Sequence, residues 1–593
     1  ARTAQSKLSM ASSWSDAPPA SWSDAPPEEA RALDVWPLDE SNVKLLDAVR
    51  PRAWEGPTEA EAAGEYDIIA IGSGAGGLVT AKQAARRGAR SALISGHLAG
   101  GDCLNVGCVP SKALLHCARA AREARAALAE GFLVAADGTA PKLEVDFDAV
   151  MARMRRLRAH IAPADSHEGS AAAGAHVYQG WARFSGPDTV VVNERTLRFK
   201  KCVIATGGRA AVPPTPGLAA APYVTNATLY NLTALPPRMV VLGAGVIGME
   251  MAQAFAAFGS QVTVLARSAV LSKEEPAARE AVVKALEADG VAFVSGVDVK
   301  EVQTLRQQPD DPRAFPLLKL VLGGGGGVPA ELECEALLVA TGRTPNVDGL
   351  GLDAAGVAHC GKEGIAIDDL GATSNPRVYA VGDCAAGVPR FTHMSGEMAK
   401  LAVQNALFGD GWKVSSLVVP RCCYTEPEVA SHRRHEHTAA LKALGLLSQD
   451  MELRQPDTWP ALARGGEHVS VSPSPGHPQV ASVGLTRRDA EAAGVAVDTY
   501  SSSLEHNDRV ILEGQAAGGG IVEIHCSKDT DTIVGATVVA AGAGNIINEV
   551  TLAMQAGVGL GAVARVIHPY PTVGEGVMQA GLGYIRRHWA KLN

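Results

Sequence analysis

A chain of 593 residues exceeds what one hydrophobic core ordinarily serves, and its 47% apolar content is that of a globular protein with several domains. The formal net charge of -9 argues against a nucleic-acid partner, whose phosphates demand a basic surface. No run of about eighteen uninterrupted apolar residues occurs, so no membrane span is expected, and ten cysteines are too sparse for a disulfide scaffold.

Residues 1–64 read as an N-terminal extension that is largely disordered, rich in Ala, Ser, Pro and Glu. It contains a tandem repeat, Ser13-Trp14-Ser15-Asp16-Ala17-Pro18-Pro19 and Ser21-Trp22-Ser23-Asp24-Ala25-Pro26-Pro27. Residues 1–13 hold Arg, Lys, Ser and Ala but no acid, which resembles the end of an organelle transit peptide. A plastid or mitochondrial protein is therefore expected, a cytoplasmic one being the alternative.

Regular structure is expected from Tyr66-Asp67-Ile68-Ile69-Ala70-Ile71, an apolar strand running into Gly72-Ser73-Gly74-Ala75-Gly76-Gly77 and an alanine-rich helix. This is a dinucleotide-binding opening. Gly72 permits the tight turn, Gly74 lets the backbone approach a pyrophosphate, and Gly77 allows close helix packing. The strand Ser91-Ala92-Leu93-Ile94 follows, and then Gly100-Gly101-Asp102-Cys103-Leu104-Asn105-Val106-Gly107-Cys108-Val109-Pro110-Ser111-Lys112. Its two cysteines read as a redox-active dithiol working against a bound flavin, with a helix starting near Cys108 to lower that thiolate's pKa. The plain alternative is an inert buried pair. Cys117, Cys202, Cys334, Cys360, Cys384 and Cys526 read as ordinary buried or half-buried thiols.

A second strand and glycine loop, Met239-Val240-Val241-Leu242 and Gly243-Ala244-Gly245-Val246-Ile247-Gly248-Met249-Glu250, imply a second dinucleotide. Two nucleotide sites flanking one dithiol imply electron transfer. In the next strand, Gln261-Val262-Thr263-Val264-Leu265-Ala266-Arg267, Ala266 stands where an NAD site usually carries an acid. Arg267 can pair with a 2'-phosphate there, so NADPH is expected, with NADH as the alternative.

Together with Ala205-Thr206-Gly207, Ala340-Thr341-Gly342-Arg343 and Val378-Tyr379-Ala380-Val381-Gly382-Asp383, these motifs resemble the class I pyridine nucleotide-disulfide oxidoreductases, or flavoprotein disulfide reductases. Dihydrolipoamide dehydrogenase, glutathione reductase and mercuric reductase belong to that family, and residues 145–242 look closest to the mercuric-reductase-like branch. The resemblance implies an α/β fold of two Rossmann-like dinucleotide-binding domains, for FAD and NAD(P), plus a C-terminal α+β dimerisation domain. Residues 65–220 and 347–420 would form the FAD domain, 221–346 the NAD(P) domain, and 421–593 the dimerisation domain with an insert at 431–481. The chain would act as a homodimer whose C-terminal motif completes the partner's site. Cofactor contacts are implied at Gly72, Gly74, Gly76, Gly77, Ser95, Gly101, Lys112, Thr206, Gly207, Gly243, Gly245, Gly248, Glu250, Arg267, Gly342, Arg343, Gly382 and Asp383. The resemblance also places the Cys108 thiolate beside the flavin, makes Cys103 the thiol that engages substrate, and pairs Lys112 with Glu250.

The chain departs from the family pattern in four places. Ser95 stands where the flavin-binding Glu normally lies. Tyr570 takes the place of the C-terminal catalytic histidine, leaving His568 two residues early and Glu575 in register; a phenol with a pKa near 10 is a poor base at neutral pH. The tail lacks the vicinal cysteines of mercuric reductases, and Cys422-Cys423 reads as structural, with a soft-metal role as the alternative. Residues 431–481, with five prolines at 456, 460, 473, 475 and 478, read as a surface loop or a retained intron. His432, His435 and His437 lack a cysteine or carboxylate cage, so no metal site is expected. Three functions follow: reduction of a small acceptor (metal ion, quinone or disulfide), dihydrolipoamide dehydrogenase chemistry with His568 as base, or a non-enzymatic flavin-bound thiol sensor.

Overall fold

The structure, a computed structural model, describes residues 21–24, 27–129, 131, 143–272, 276–308, 311, 313–325, 328–417, 421–423, 425, 429–431, 479–485, 487, 490, 495–513, 520–540 and 543–589. The three insert histidines and most of 431–481 lie outside these residues.

Five parallel strands lie in the order His176–Gln179, Ser91–Ser95, Tyr66–Ile71, Arg195–Ile204 and Val378–Ala380. Parallel sheets are covered on both faces, which accounts for the apolar run at Ile68, Ile69 and Ala70, each fully buried. Strand order reverses at Tyr66–Ile71, so the crevice of this sheet opens at the end of that strand, where the first glycine loop sits. A second parallel sheet, ordered Ala292–Ser295, Gln261–Ala266, Arg238–Leu242 and Ala336–Val339, reverses at Arg238–Leu242, the strand that feeds the second loop. Its strands all fall in the sequence between the fourth and fifth strands of the first sheet.

The C-terminal part is an antiparallel sheet in the order Gln479–Gly484, Ile533–Ala540, Ile521–Ser527 and Val497–Ser503. Val522, Ile524 and Cys526 line its buried face, against which the helices Ala543–Gln555 and Glu575–Arg587 pack. These are the α/β and α+β architectures expected.

Two expectations need correction. Residues 27–64 are not a disordered extension. Asp39 caps the helix Glu40–Val49 by accepting from Asn42 N, and Leu45, Leu46 and Val49 are fully buried. Arg158 then joins this helix to the dithiol segment, donating to Asn42 Oδ1 at 2.7 Å and to Asn105 O at 2.6 Å. An amphipathic helix with three buried aliphatic side chains outweighs the Pro- and Ala-rich composition around it. The second correction is Cys360, which is exposed because it lies in the two-residue strand His359–Cys360 at the surface.

Candidate active site around the dithiol

A continuous helix would set residues 103 and 108 about 140° apart around its axis. The chain avoids this by breaking at Gly107 (φ -139°, ψ -116°), between the helices Gly101–Val106 and Cys108–Ala129. Cys103 lies in the first helix and Cys108 is the first residue of the second, and the break brings their sulfurs into hydrogen-bond contact. The Cys103 thiol donates to the Cys108 sulfur, and this bond together with burial holds Cys103 well above the usual thiol range. The same bond, the charge of Lys112 and the hydroxyl of Thr392, 3.3 Å from the sulfur, bring Cys108 down to about 7.

One turn beyond Cys108, Lys112 Nζ donates to Glu250 Oε2 at 2.8 Å, with side chains 9% and 4% exposed. Two charges so deeply placed are tolerable only as a pair, since removing one partner typically costs about 3–5 kcal/mol. Lys112 supplies the positive charge that favours the Cys108 thiolate, and Glu250 offsets part of it. Alkylation of Cys108 in the reduced protein is therefore expected to rise with pH through a midpoint near 7 and then level off. In Lys112→Met the midpoint should move upward, because a cation favouring the charged form is gone; peptide mapping of iodoacetamide incorporation against pH reads both. A midpoint in the ordinary thiol range in the unsubstituted protein would contradict this electrostatic account.

The C-terminal part reaches the dithiol through the short helix Asp508–Leu512, capped by Asn507 Oδ1. Ile511 and Leu512 are buried in one cluster with Ala113 of the dithiol helix and Met154, a burial worth about 1.5–3 kcal/mol per side chain. Arg153 donates to Leu512 O. This docking puts the Tyr570 hydroxyl in hydrogen-bond contact with Cys103, while it donates to Asp508 Oδ2. Tyr570 meets the dithiol within the single chain described, and the family resemblance implies the same contact across the dimer. His568 does not face the thiols: Nδ1 bonds Val566 O at 2.9 Å and Nε2 contacts the Glu549 carboxylate at 3.0 Å. Glu575 accepts from Thr572 N at 3.0 Å, and burial pushes its carboxyl up to about 8, so it is mostly protonated at neutral pH.

The two glycine loops have the form nucleotide binding requires. Gly72 turns at φ +104°, and a Cβ on Gly77 would lie 1.6 Å from Gly72 O, so only glycine allows that helix so close. A Cβ on Gly101 would come within 2.7 Å of Gly74 Cα, so the dithiol segment abuts the first loop directly. Gly245 faces open space, with no atom within 4 Å of where its Cβ would be, leaving the second loop's backbone free for a pyrophosphate. Both loops open at helix N-termini, Ala75–Arg86 and Val246–Phe258. The residues present fit two dinucleotides.

Comparison with known proteins agrees with this geometry. Residues 66–399 match the family described as pyridine nucleotide-disulphide oxidoreductase, and 476–580 match its dimerisation domain. The chain belongs to the pyridine nucleotide-disulphide oxidoreductases. It is 30% identical over 543 residues to a mercuric reductase of Acidithiobacillus ferrooxidans, spanning 91% of this chain and 86% of that one. Over 530 residues it is 29% identical to a dihydrolipoyl dehydrogenase of Staphylococcus aureus, spanning 88% and 97%. Among solved structures, the HOCl-induced flavoprotein disulfide reductase RclA from Escherichia coli shares the fold, with a TM-score of 0.53 at 22% identity over 86% of this chain and 98% of that one. As a member of this family the chain is an oxidoreductase that uses FAD and NAD(P)H. No described helix is long and apolar enough to cross a membrane. These relatives are bacterial and give the organelle expectation no support.

The other residues expected to contact the cofactors also make contacts within the protein. Gly76 faces Ser395 and Val381, where a Cβ would clash at 2.7 and 2.9 Å, so it serves packing of the helix Thr392–Phe408. Ser95 is buried and 2.8 Å from Ser73 Oγ, bracing the first loop from within. Arg343 Nε donates to Asp383 Oδ2 at 2.7 Å, and its Nη2 donates to Asp102 and Gly208 O, so it clamps the dithiol segment to the first sheet's final turn. Thr206 Oγ1 donates to Asn346 O at 2.6 Å, next to Gly207, tying the two crossings between the sheets. Gly342 and Gly382 both turn at positive φ, +136° and +71°. Gly243 and Gly248 repeat the close approach of Gly72 and Gly77, with a Cβ on Gly248 falling 2.3 Å from Gly243 O. Arg267 is exposed just past the strand Gln261–Ala266, beside the second loop, whose Gly243 N donates to Leu265 O at 3.0 Å. Thr392 and Asp508 escaped sequence reasoning altogether. Each lies far along the chain from the dithiol, and neither stands in a motif that marks it.

Proposed function

We propose that this chain is a homodimeric, FAD-dependent NADPH oxidoreductase that passes electrons through Cys103 and Cys108 to a small acceptor, in the manner of mercuric reductases. The observation that carries this reading is the Cys108 sulfur at a helix N-terminus, brought down to about 7 beside the buried Lys112–Glu250 pair and the glycine loop. Bound FAD would supply the hydride acceptor for NADPH and return the electron pair to the Cys103/Cys108 disulfide. The chain's own residues hold the resulting charge. Cys108 keeps the thiolate, Lys112 balances it, and Glu250 holds Lys112 in place. Cys103 carries the proton and faces Tyr570, the side from which an acceptor would approach.

The arrangement of His568, with both ring nitrogens engaged away from the thiols, weighs against dihydrolipoamide dehydrogenase chemistry with that histidine as base. Anaerobic turnover of NADPH with lipoamide, glutathione disulfide, a quinone and a soft metal ion tests the reading. Turnover with the metal ion or quinone supports it, efficient lipoamide turnover supports the dehydrogenase, and no turnover with any acceptor leaves the thiol sensor. The NADPH preference rests on Ala266 and Arg267. A charge-assisted contact is worth about 1.5–3 kcal/mol, so Arg267→Gln should raise KM for NADPH by roughly ten- to a hundredfold and leave NADH unchanged. Equal effects on both nicotinamides would contradict the assignment.

A further inference from the structure

Tyr570 has one hydroxyl proton and two neighbours that compete for it. Its oxygen touches Cys103, and its proton goes to Asp508 Oδ2. The carboxylate belongs to the first residue of the helix Asp508–Leu512, whose Ile511 and Leu512 are buried against the dithiol helix. Asp508 meets the dithiol through the phenol, and its charge also bears on Cys103 directly.

We propose that Asp508 is a positioning residue: by taking the single hydroxyl proton of Tyr570 it turns the phenol's lone pairs toward Cys103, so the reduced pair keeps its proton on Cys103 and its charge on Cys108. The proposal rests on the dithiol reading above and adds the residue that decides which sulfur is charged. No electrons move in this assignment. Two sulfurs share one proton, and Asp508 selects the sulfur that holds it.

Tyr570 and Asp508 act on Cys103 in opposite directions. The Tyr570 hydrogen bond lowers Cys103 and the charge of Asp508 raises it, so drawing the hydroxyl proton to Asp508 removes the first influence and keeps the second. The other carboxyls near Asp508 are Asp165 and Glu575, both raised by burial, to about 6 and about 8. Asp508 is also raised by burial and brought down by the Tyr570 hydrogen bond. Lys112 lowers Cys108 with Glu250 offsetting it in part, so the two ends of the site oppose each other: a cation beside Cys108 and an anion behind the partner of Cys103. That polarity keeps a neutral thiol toward the acceptor side and a thiolate toward the flavin side.

The test uses the flavin-loaded protein reduced with dithiothreitol, without nicotinamide or acceptor, and maps iodoacetamide labelling of each cysteine at pH 7. Running it on chemically reduced protein separates failure of this proposal from failure of NADPH-driven reduction. In the unsubstituted protein Cys108 labels faster. In Asp508→Asn a neutral, weaker acceptor replaces the carboxylate, so the hydroxyl can turn toward Cys103 and the nearby charge is gone; the Cys103-to-Cys108 labelling ratio should rise about tenfold or more. In Asp508→Asn/Tyr570→Phe the donor is missing and the ratio should fall most of the way back. Asp508→Glu should stay near the starting ratio, and Asp508→Ser should repeat the asparagine result and decides the matter if asparagine does not fold. An unchanged ratio in the uncharged variants, or a double variant that behaves like Asp508→Asn alone, overturns the proposal.

Discussion

Replacing Cys108 with alanine should lower NADPH-driven reduction of any acceptor by on the order of 10³-fold or more, the scale on which loss of a nucleophile ordinarily registers. The expectation follows from what the sulfur does. Cys108 carries the thiolate at the start of the helix Cys108–Ala129 and contacts Cys103, Thr392 and the charge of Lys112. Without it Cys103 has no partner with which to store an electron pair, and the Lys112–Glu250 pair stands beside nothing it can stabilise. Folding should be little disturbed, because the side chain is only half-buried and its hydrogen bonds, with Cys103 and Thr392, are weak sulfur contacts. A Cys108→Ala protein that retains flavin and still turns over at more than about a tenth of the starting rate would remove the dithiol from the pathway.

The second large effect concerns which chain completes the site. Tyr570 meets Cys103 of its own chain, held there by the docking of Asp508–Leu512 on the dithiol helix. Chains carrying Cys108→Ala, co-expressed with chains carrying Tyr570→Phe and isolated as the mixed dimer by two tags, should therefore have no intact site. Tyr570→Phe alone should lose roughly 10²-fold, the usual weight of a positioned proton-handling group, and the mixture should do no better. Were the C-terminal motif to cross between subunits, the mixed dimer would hold one complete site and regain about half of the normal turnover. That recovery would contradict the same-chain arrangement, while leaving the Asp508–Tyr570 hydrogen bond, which lies within one domain, untouched.

Much of the site was legible because local chemistry marked it. The glycine spacing at 72–77 and 243–248 reports positions where any Cβ collides with backbone, and Cys103, Cys108 and Lys112 share one short segment. Glu250 could be paired with Lys112 only through the family resemblance, since 138 residues separate them. Other features depend on tertiary placement, which no local pattern encodes. Thr392 reaches Cys108, and Asp508 reaches Tyr570 beside Cys103, because two distant helices start there. Arg343 reads as a nucleotide contact in its motif, and no local pattern shows that it also bonds Asp102, Asp383 and Gly208 O. The helix Glu40–Val49 was hidden in a segment whose composition resembles disorder, although Leu45, Leu46 and Val49 form one apolar stripe.

The central claim is that electrons from NADPH reach the Cys103/Cys108 pair, and anaerobic titration of the oxidised, flavin-loaded protein tests it most directly. Thiols are trapped with iodoacetamide after each addition and assigned by peptide mass. The account predicts that Cys103 and Cys108, and no other cysteines, become alkylatable as the first equivalents of NADPH are consumed. Consumption of NADPH with both cysteines still protected would contradict it.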